Sequence, residues 1–322
     1  MSEATPRRVA VLQGGPSAEA SVSRVSAAGV AAALAERFEA VACVELDDAV
    51  VDRLRAFAPD VVFPALHGPP GEDGTVQGLL ELLGFPYVGS GVHASACAMD
   101  KFVAKQLFRA AGLPLARDRL VRRGDDLGEA IAAIGEDLGP RVVVKPTRQG
   151  SALGVTLADD PRQLAGALEA ALAFDARVLV EERVPGREIT VGVLELQEVQ
   201  EGPEARVLPV IEILTPEGRW YDFHHRYAAG ASRHQLPAAL PDGTTRALQE
   251  AALAAHGWLE CRDLSRADFL VAEDRVVLLE VNTLPGMTPT SLFPEAAAAI
   301  GYDFPALTAR LVENAWHRSR AS

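Results

Sequence analysis

Residues 266–282 read RADFLVAEDRVVLLEVN, two apolar stretches with interspersed polar residues on either side of a short acidic turn. Side chains two positions apart on a strand point to the same face of a sheet. Arg266 and Asp268 therefore project together if the first stretch is a strand, and so do Glu280 and Asn282 on the second. If the two strands pair, three oxygen-bearing side chains and one guanidinium converge. Such oxygens suit a hard divalent cation, although an exposed polar strand end is the simpler interpretation.

A second candidate site follows an apolar strand at 142–144, which ends in Lys145. The loop after it contains Gly150 and Ser151, and its backbone N–H groups could cradle phosphate oxygens; a plain hairpin is the alternative. The 31 basic residues of the chain include only three lysines, which are Lys101, Lys105 and Lys145. A lysine retained in an arginine-rich chain is suited to contacting phosphate as a compact point charge.

Strand-like and helical stretches alternate near the N-terminus, beginning with a buried strand at 8–12 and a helix from about Glu19. This alternation predicts a parallel sheet with helices packed on it, and hence an α/β fold. The turn at Gly14 and Gly15 lacks the three-glycine spacing of a dinucleotide site, which argues against a nicotinamide-dependent oxidoreductase. The loop that begins at His67 follows a predicted strand, where parallel-sheet proteins place their sites, although a lone histidine is more often structural.

The rest of the chain gives further predictions of helices and strands. We predict one helix over 94–111 and strands at 141–146, 154–157, 177–182, 188–194, near 207–213, 267–272 and 276–281. The polar and aromatic stretch at about 215–237 has little periodicity. A loop of that length inside a compact domain is usually a functional lid or disordered, so we expect a lid there.

Composition and charge exclude several classes of protein. The chain has 322 residues and a formal charge of -13, which argues against a binder of duplex nucleic acid because such proteins need a basic surface. No apolar run approaches the ~20 residues of a membrane span. The first residues contain no apolar signal core, so we expect a cytoplasmic protein without membrane contact. The three cysteines are far apart, which predicts reduced thiols.

Seven short motifs occur in a specific order along the chain. They are GGPSAE at 14–19, LHG at 66–68 with GEDG at 71–74, MDK at 99–101, VKP at 144–146 with GS at 150–151, YD at 221–222 with Tyr227, RAD at 266–268, and EVNTLPGMT at 280–288 with Ser291. In this order they resemble the D-alanine–D-alanine ligases of the ATP-grasp superfamily, over essentially the whole chain.

The resemblance implies an ATP-grasp fold of three domains. These are an N-terminal parallel-sheet substrate domain at 1–91 and two subdomains that clasp ATP, at 92–186 and at 187–322, the latter with the lid at about 215–237. The implied reaction joins two D-alanine molecules through D-alanyl phosphate for peptidoglycan synthesis, with two Mg²⁺ ions (or Mn²⁺), in a homodimer. The alternatives are D-lactate or D-serine as second substrate, or a nucleotide-binding protein without catalysis.

The resemblance also assigns roles to individual residues by their place in the motifs. The ATP site consists of Lys101, Lys145, Glu181, Glu188 and Arg226, and the metal ligands are Asp268, Glu280 and Asn282. The catalytic groups are Glu19, Ser151, Tyr227, Arg266 and the backbone N–H of Gly286, and the substrate contacts are Glu19, His67, Ser291 and Leu292. Lys105 has no such role, and we predict that it is a charge on a helix face. Arg226 stands where the family usually has lysine.

Overall fold

A parallel sheet forms the N-terminal part of the computed structural model, which describes residues 5–198, 202–216, 232–273 and 275–321. The strand order is β2-β1-β3. The elements are β1 (Arg8–Gln13), α1 (Ala20–Ala35), β2 (Ala40–Glu45), α2 (Val50–Phe57), β3 (Val61–Pro64) and α3 (Thr75–Leu83). The central strand β1 is apolar from Val9 to Leu12 and fully buried, as expected for a parallel strand covered on both faces. The predicted α/β alternation is therefore present.

The helical stretch after this sheet is broken in two, so the prediction of one helix over 94–111 is wrong. The structure has α4 (Val92–Met99) and α5 (Lys101–Ala110). Between them Asp100 takes an extended backbone conformation, and its carboxylate accepts a hydrogen bond from the Val103 N–H at 3.2 Å. A short acidic side chain at this position caps a new helix, which periodicity alone does not reveal. The break makes Lys101 the first residue of α5.

The second sheet is antiparallel and has the order β4-β7-β5-β6. Its strands are β4 (Asp118–Arg122), β5 (Val142–Pro146), β6 (Thr156–Ala158) and β7 (Arg177–Glu182), with helices α6 (Leu127–Leu138) and α7 (Pro161–Phe174). Val144, Leu168 and Val180 lie in a core that contains only residues of this part of the chain. The second sheet is thus packed around its own hydrophobic core.

The third sheet is antiparallel and contains the two paired strands that carry Asp268 and Glu280. Its strands are β8 (Arg187–Glu198), β9 (Gly202–Val207), β10 (Ile211–Leu214), β11 (Arg233–Gln235), β12 (Leu264–Ala272) and β13 (Arg275–Asn282). Helices α8 (Asp242–Trp258), α9 (Leu292–Ala298) and α10 (Phe304–Ala321) complete this part. Among the described residues, no helix has both the length and the apolar character needed to cross a membrane.

Two details of the third sheet differ from the sequence-based expectation. The predicted strand near 207–213 is two strands, β9 and β10, that pair with different parts of β8. Pro209 lies between them, and proline has no N–H to continue a ladder. The second detail is β11, which pairs with β10 although the stretch at 215–237 showed no strand periodicity.

The first and third sheets share one hydrophobic core. Val11 of β1, Leu194 of β8 and Leu311 of α10 belong to the same buried cluster. At the edge of this core, the fully buried Asp263 accepts hydrogen bonds from the Gly89 N–H at 2.6 Å and from Arg318 Nη1 at 2.5 Å. One carboxylate therefore joins the end of the first part of the chain to the C-terminal helix.

We expect Arg318→Leu to lower the free energy of unfolding by about 3 kcal/mol, because it leaves the buried Asp263 carboxylate without its guanidinium. This is the low end of the usual range, since the Arg318 side chain is 24% exposed. Urea denaturation measures the change. The control is Arg310→Leu on the same helix, where the pair with Glu313 is long, at 3.6 Å, and partly exposed, so a loss below ~1 kcal/mol is expected. An equal loss of unfolding free energy in the two variants would contradict a stabilising role of the buried Asp263–Arg318 pair.

Candidate active site

The strands β12 and β13 pair so that the four polar residues of the opening motif face one another. Arg266 is opposite Asn282, and Asp268 is opposite Glu280. The Arg266 guanidinium donates two hydrogen bonds to the Asp268 carboxylate, both at 2.8 Å, and Asn282 Nδ2 donates to Asp268 Oδ2 at 3.2 Å. The structure therefore brings together the residues that the alternation placed on one face.

Thr190 is a further member of this cluster that the sequence analysis missed. It lies on β8 opposite Asp268, and its Oγ1 donates to Asp268 Oδ1 at 2.7 Å. The signal that could have found it is the alternation of β8, which puts Thr190 on the same face as Glu188. The hydrogen bond orients the Asp268 carboxylate from the side opposite Asn282.

A cleft of about 460 Å³ lies between the second and third sheets. Of the residues predicted to contact ATP, it is lined by Lys101, Lys145, Glu181 and Glu188, and Glu280 also lines it. Its walls include the apolar side chains of Val143, Val155, Leu157, Leu270 and Leu279. Apolar walls with a few polar groups are typical of a site for a small, flat ligand.

The two cleft lysines that were predicted to contact phosphate sit at different positions. Lys101 Nζ lies 3.0 Å from Glu280 Oε2 and donates a hydrogen bond to the Gln149 carbonyl at 2.8 Å. It therefore connects the polar cluster on β12 and β13 to the loop that contains Gly150. Lys145 Nζ pairs with Glu181 Oε2. Both ammonium groups are largely buried, and each lies beside a carboxylate.

Lys105 is not an exposed charge on a helix face, and that prediction is wrong. Its side chain is 1% exposed, and its ammonium group lies 2.5 Å from Glu181 Oε1 and 3.2 Å from Asp118 Oδ1. Burial by itself would raise the pKa of Glu181, but the ammonium groups of Lys145 and Lys105 together hold it below its usual value. Glu181 is therefore ionised at neutral pH.

Glu19, just before α1, contacts Ser151 in the loop after β5. Ser151 Oγ donates a hydrogen bond to Glu19 Oε1, although the two residues lie far apart in the sequence. A side chain at Gly68 would lie 3.0 Å from Glu19 Oε2 and 2.8 Å from Ser17 Oγ, and its φ is +68°. Glycine is therefore required at this position for the loop to approach the carboxylate closely.

His67 lies next to this carboxylate and is neutral at neutral pH. Its ring is buried, with Nε2 3.1 Å from Ser26 Oγ. Burial lowers the pKa of His67, while the nearby Glu19 carboxylate opposes the shift. A neutral imidazole has one donor and one acceptor nitrogen, so His67 can form a hydrogen bond with a substrate without adding a charge.

Glu72 is a second residue to which the sequence analysis gave no role. Burial raises its pKa to about 8, and the carboxylates of Glu19 and Glu280 add to the increase. The hydrogen bond from the Gly68 N–H to Glu72 Oε2, at 2.5 Å, opposes it. A carboxyl with this pKa is mostly protonated at neutral pH, which reduces the negative charge beside Glu19 and Glu280.

Gly286, Ser291 and Leu292 lie together at the turn before α9. Ser291 Oγ contacts Thr288 Oγ1 at 2.7 Å and accepts a hydrogen bond from the Thr288 N–H at 3.1 Å. A Cβ at position 286 would lie 3.1 Å from Ser291 Oγ, and Leu292 is buried in the core. The buried Leu292 thus anchors a turn that carries the Ser291 hydroxyl and the Gly286 N–H.

The predicted residues Arg226 and Tyr227, and most of the predicted lid, lie outside the described residues.

Comparison with known proteins assigns this arrangement to a family. The sequence family described as "D-ala D-ala ligase C-terminus" matches residues 107–313, and "D-ala D-ala ligase N-terminus" matches residues 47–90. The chain belongs to the D-alanine–D-alanine ligase family. It is 50% identical to the D-alanine–D-alanine ligase of Ruegeria pomeroyi, with 98% of each chain covered. It is 48% identical to that of Acidiphilium cryptum, covering 96% of this chain and 98% of the relative.

Solved structures of D-alanine–D-alanine ligases have the same fold. The Bacillus anthracis enzyme complexed with ATP is 30% identical, with a TM-score of 0.83 over 98% of this chain and 99% of that one. The D-alanyl-alanine synthetase A of Vibrio cholerae is 29% identical, with a TM-score of 0.84 over the same shares. The predicted family, the ATP-grasp fold and the ligase class of enzyme are confirmed, and the oxidoreductase alternative is excluded.

Proposed function

We propose that this ligase joins two D-alanine molecules to D-alanyl-D-alanine, with conversion of ATP to ADP and phosphate, in peptidoglycan precursor synthesis. The observation that carries the proposal is the cluster of Arg266, Asp268, Glu280 and Asn282, which lies at the cleft that holds Lys101. In this cluster Arg266 lies beside Asp268 and Lys101 lies beside Glu280. Phosphoryl transfer depends on such charged groups, since they position the phosphates and neutralise their charge.

The cleft between the sheets would hold ATP. The apolar walls suit the base, Glu181 would accept a hydrogen bond from the adenine amino group, and Glu188 would contact the ribose. Lys101 and Lys145 are placed to contact the phosphates, and Arg226 is proposed as a further contact. Three domains with boundaries near residues 91 and 186 are consistent with the three sheets.

Asp268, Glu280 and Asn282 fit a site for Mg²⁺. Two carboxylates and one carboxamide are the hard oxygen donors that this ion prefers, and Thr190 orients one of them. Mg²⁺ bound there would neutralise phosphate charge. We propose two ions with Glu280 shared between them, and Mn²⁺ as a substitute.

The first step would be attack by the carboxylate of one D-alanine on the γ-phosphorus of ATP. A new O–P bond forms, the bond to the β-phosphate oxygen breaks, and ADP leaves with D-alanyl phosphate remaining. The residues of the chain hold the reactants: Glu19 would bind the ammonium group of this D-alanine, with Ser151 and Tyr227 as its companions and His67 nearby. Lys101 and Lys145 offset the repulsion between the two anions.

The second step would be attack by the amine of the other D-alanine on the carbonyl carbon of D-alanyl phosphate. Ser291 and the backbone of Leu292 would bind its carboxylate. The attack forms the C–N bond, and the resulting tetrahedral oxyanion would receive hydrogen bonds from Arg266 and the Gly286 N–H. Its collapse breaks the C–O bond to phosphate, and the proton lost by the amine leaves with the phosphate. The lid is proposed to exclude water, since an acyl phosphate hydrolyses readily.

We also propose an oligomeric state and a cellular location for the protein. We propose a homodimer formed through the first domain, as the family resemblance implies. A cytoplasmic location remains our prediction from the sequence.

Supplying D-alanine alone or with D-lactate tests the substrate choice. We expect phosphate release with D-alanine alone. D-alanyl-D-alanine should be the main product at neutral pH with or without D-lactate, because relatives that form depsipeptides commonly lack the tyrosine that Tyr227 matches. Mass spectrometry of the product and a phosphate assay measure this. A dominant D-alanyl-D-lactate product would overturn the substrate assignment. Tight binding of Mg-ATP without turnover of any D-amino acid would instead favour the non-catalytic alternative.

A further inference from the structure

We propose that Lys105 is a positioning residue that makes the cleft select adenine, because it fixes the carboxylate of Glu181. The inference rests on the proposed function and concerns the ATP site. Lys105 does not line the cleft, so it acts through Glu181 rather than on the nucleotide.

The surroundings of Lys105 match the bonding capacity of an ammonium group. Its three acceptors are Glu181 Oε1 at 2.5 Å, the Ala116 carbonyl at 3.0 Å and Asp118 Oδ1 at 3.2 Å. An ammonium group has three N–H donors and no acceptor, so every donor has a partner. A buried lysine with this coordination has one stable position.

Glu181 is held by one lysine on each carboxylate oxygen. Lys105, on α5, contacts Oε1 from outside the cleft, and Lys145, on β5, contacts Oε2 from within it. Each oxygen keeps a second lone pair. The carboxylate is therefore ionised and restricted in rotation, so it presents an acceptor to the cleft in a constant direction.

An ionised carboxylate distinguishes purine bases by what they carry at position 6. The amino group of adenine donates a hydrogen bond to it, whereas a hydrogen atom gives none and a carbonyl oxygen repels it. Discrimination requires that Glu181 neither takes up a proton nor turns away. Both lysines contribute to these conditions. Lys145 is also proposed to face the phosphates, whereas Lys105 does not line the cleft, so a substitution at Lys105 tests the positioning of Glu181 separately.

Arginine cannot replace this lysine without moving its neighbours. The chain uses arginine for 28 of its 31 basic residues, which leaves the three lysines, and all three ammonium groups lie at this cleft or against its Glu181. A planar guanidinium is larger and directs its donors in one plane, whereas an ammonium group is compact and has three rotatable donors.

The test compares ATP with purine riboside triphosphate, which has hydrogen in place of the amino group. In the unaltered enzyme we expect KM for ATP to be lower by about 10-fold or more, the size of a hydrogen bond to a charged group. In Lys105→Met, Glu181 loses its anchor, so the ratio of the two KM values should fall below about 3-fold. The kcat at saturating ATP should change little, since the phosphate contacts remain.

Two further variants separate positioning from loss of stability. Arg318→Leu breaks a buried ion pair away from the cleft and should leave the KM ratio unchanged. In Lys105→Met, Asp118 keeps Arg109 as a partner. Combining Lys105→Met with Asp118→Asn removes both charges of the Lys105–Asp118 pair, and the double variant should show the same low ratio as Lys105→Met. An unchanged ratio in both Lys105 variants, or an equal rise of both KM values, would overturn the inference. Absence of ligation in the unaltered enzyme would refute the proposed function instead.

Discussion

Glu280→Gln should reduce the rate of ligation by about 10³-fold or more while the protein stays folded. The carboxylate is the proposed ligand of both metal ions, and it is the partner of Lys101 at 3.0 Å. The amide has nearly the same shape but carries no charge, so the phosphates lose the site that neutralises them. The Lys101 ammonium group loses its carboxylate partner but keeps the Gln149 carbonyl as an acceptor, and the amide oxygen of the new glutamine can accept in place of the carboxylate, so we expect the fold to survive.

The measurement is steady-state release of phosphate with D-alanine and Mg-ATP, together with circular dichroism and urea denaturation. Glu273→Gln is the matched control, because it is the same substitution at an exposed turn position between β12 and β13. It should keep full activity. A Glu280→Gln enzyme with more than a tenth of the original rate would contradict the mechanism.

Lys145→Ala should lower kcat/KM for ATP by about 10²–10³-fold, through a lower kcat as well as a higher KM. Lys145 is the last cation of β5 before the Gly150 loop, and it lines the cleft. Its point charge is proposed to stabilise the phosphates as charge develops in the transition state. Lys101 cannot replace it, because its ammonium group lies beside Glu280 and the Gln149 carbonyl, whereas that of Lys145 lies beside Glu181.

Initial rates over a range of ATP concentrations test this prediction, and a thermal unfolding curve checks the fold. Glu181 keeps Lys105 as a partner in the variant, so we expect the protein to remain folded. The value of kcat separates this variant from Lys105→Met. Lys145→Ala should lower kcat with ATP and with purine riboside triphosphate, whereas Lys105→Met should leave kcat with ATP nearly unchanged and change the ratio of the two KM values. Activity of Lys145→Ala within 10-fold of the original would refute a phosphate contact.

Local patterns in the sequence were sufficient for the strand pair at the site. The two-residue alternation placed Arg266 with Asp268 and Glu280 with Asn282, and the observed register pairs them across the sheet. The ordered motifs likewise identified the ligase family and its fold. The roles of individual site residues stay predictions, and those of Arg226 and Tyr227 fall outside the described residues.

Other features depend on single residues that periodicity does not register. Asp100 ends α4 and caps α5 within what looks like one helical stretch. Pro209 divides an apolar stretch into β9 and β10. In both places the hydrophobic pattern continues across the break, because it reports which face is buried and not whether the backbone hydrogen bonds continue.

The sequence by itself determined the strand and helix faces, the order of the motifs and the family, because these depend on neighbours within a few residues. Only the tertiary structure decided what a buried charge contacts. Lys105 looked like a surface cation on an amphipathic helix, yet it pairs with Glu181, 76 residues away. The apolar side of α5 packs on the core of the third sheet, while Lys105 reaches Glu181 and Asp118 of the second sheet. Its ammonium group is buried there, and a charge removed from water must find an opposite charge wherever the fold provides one.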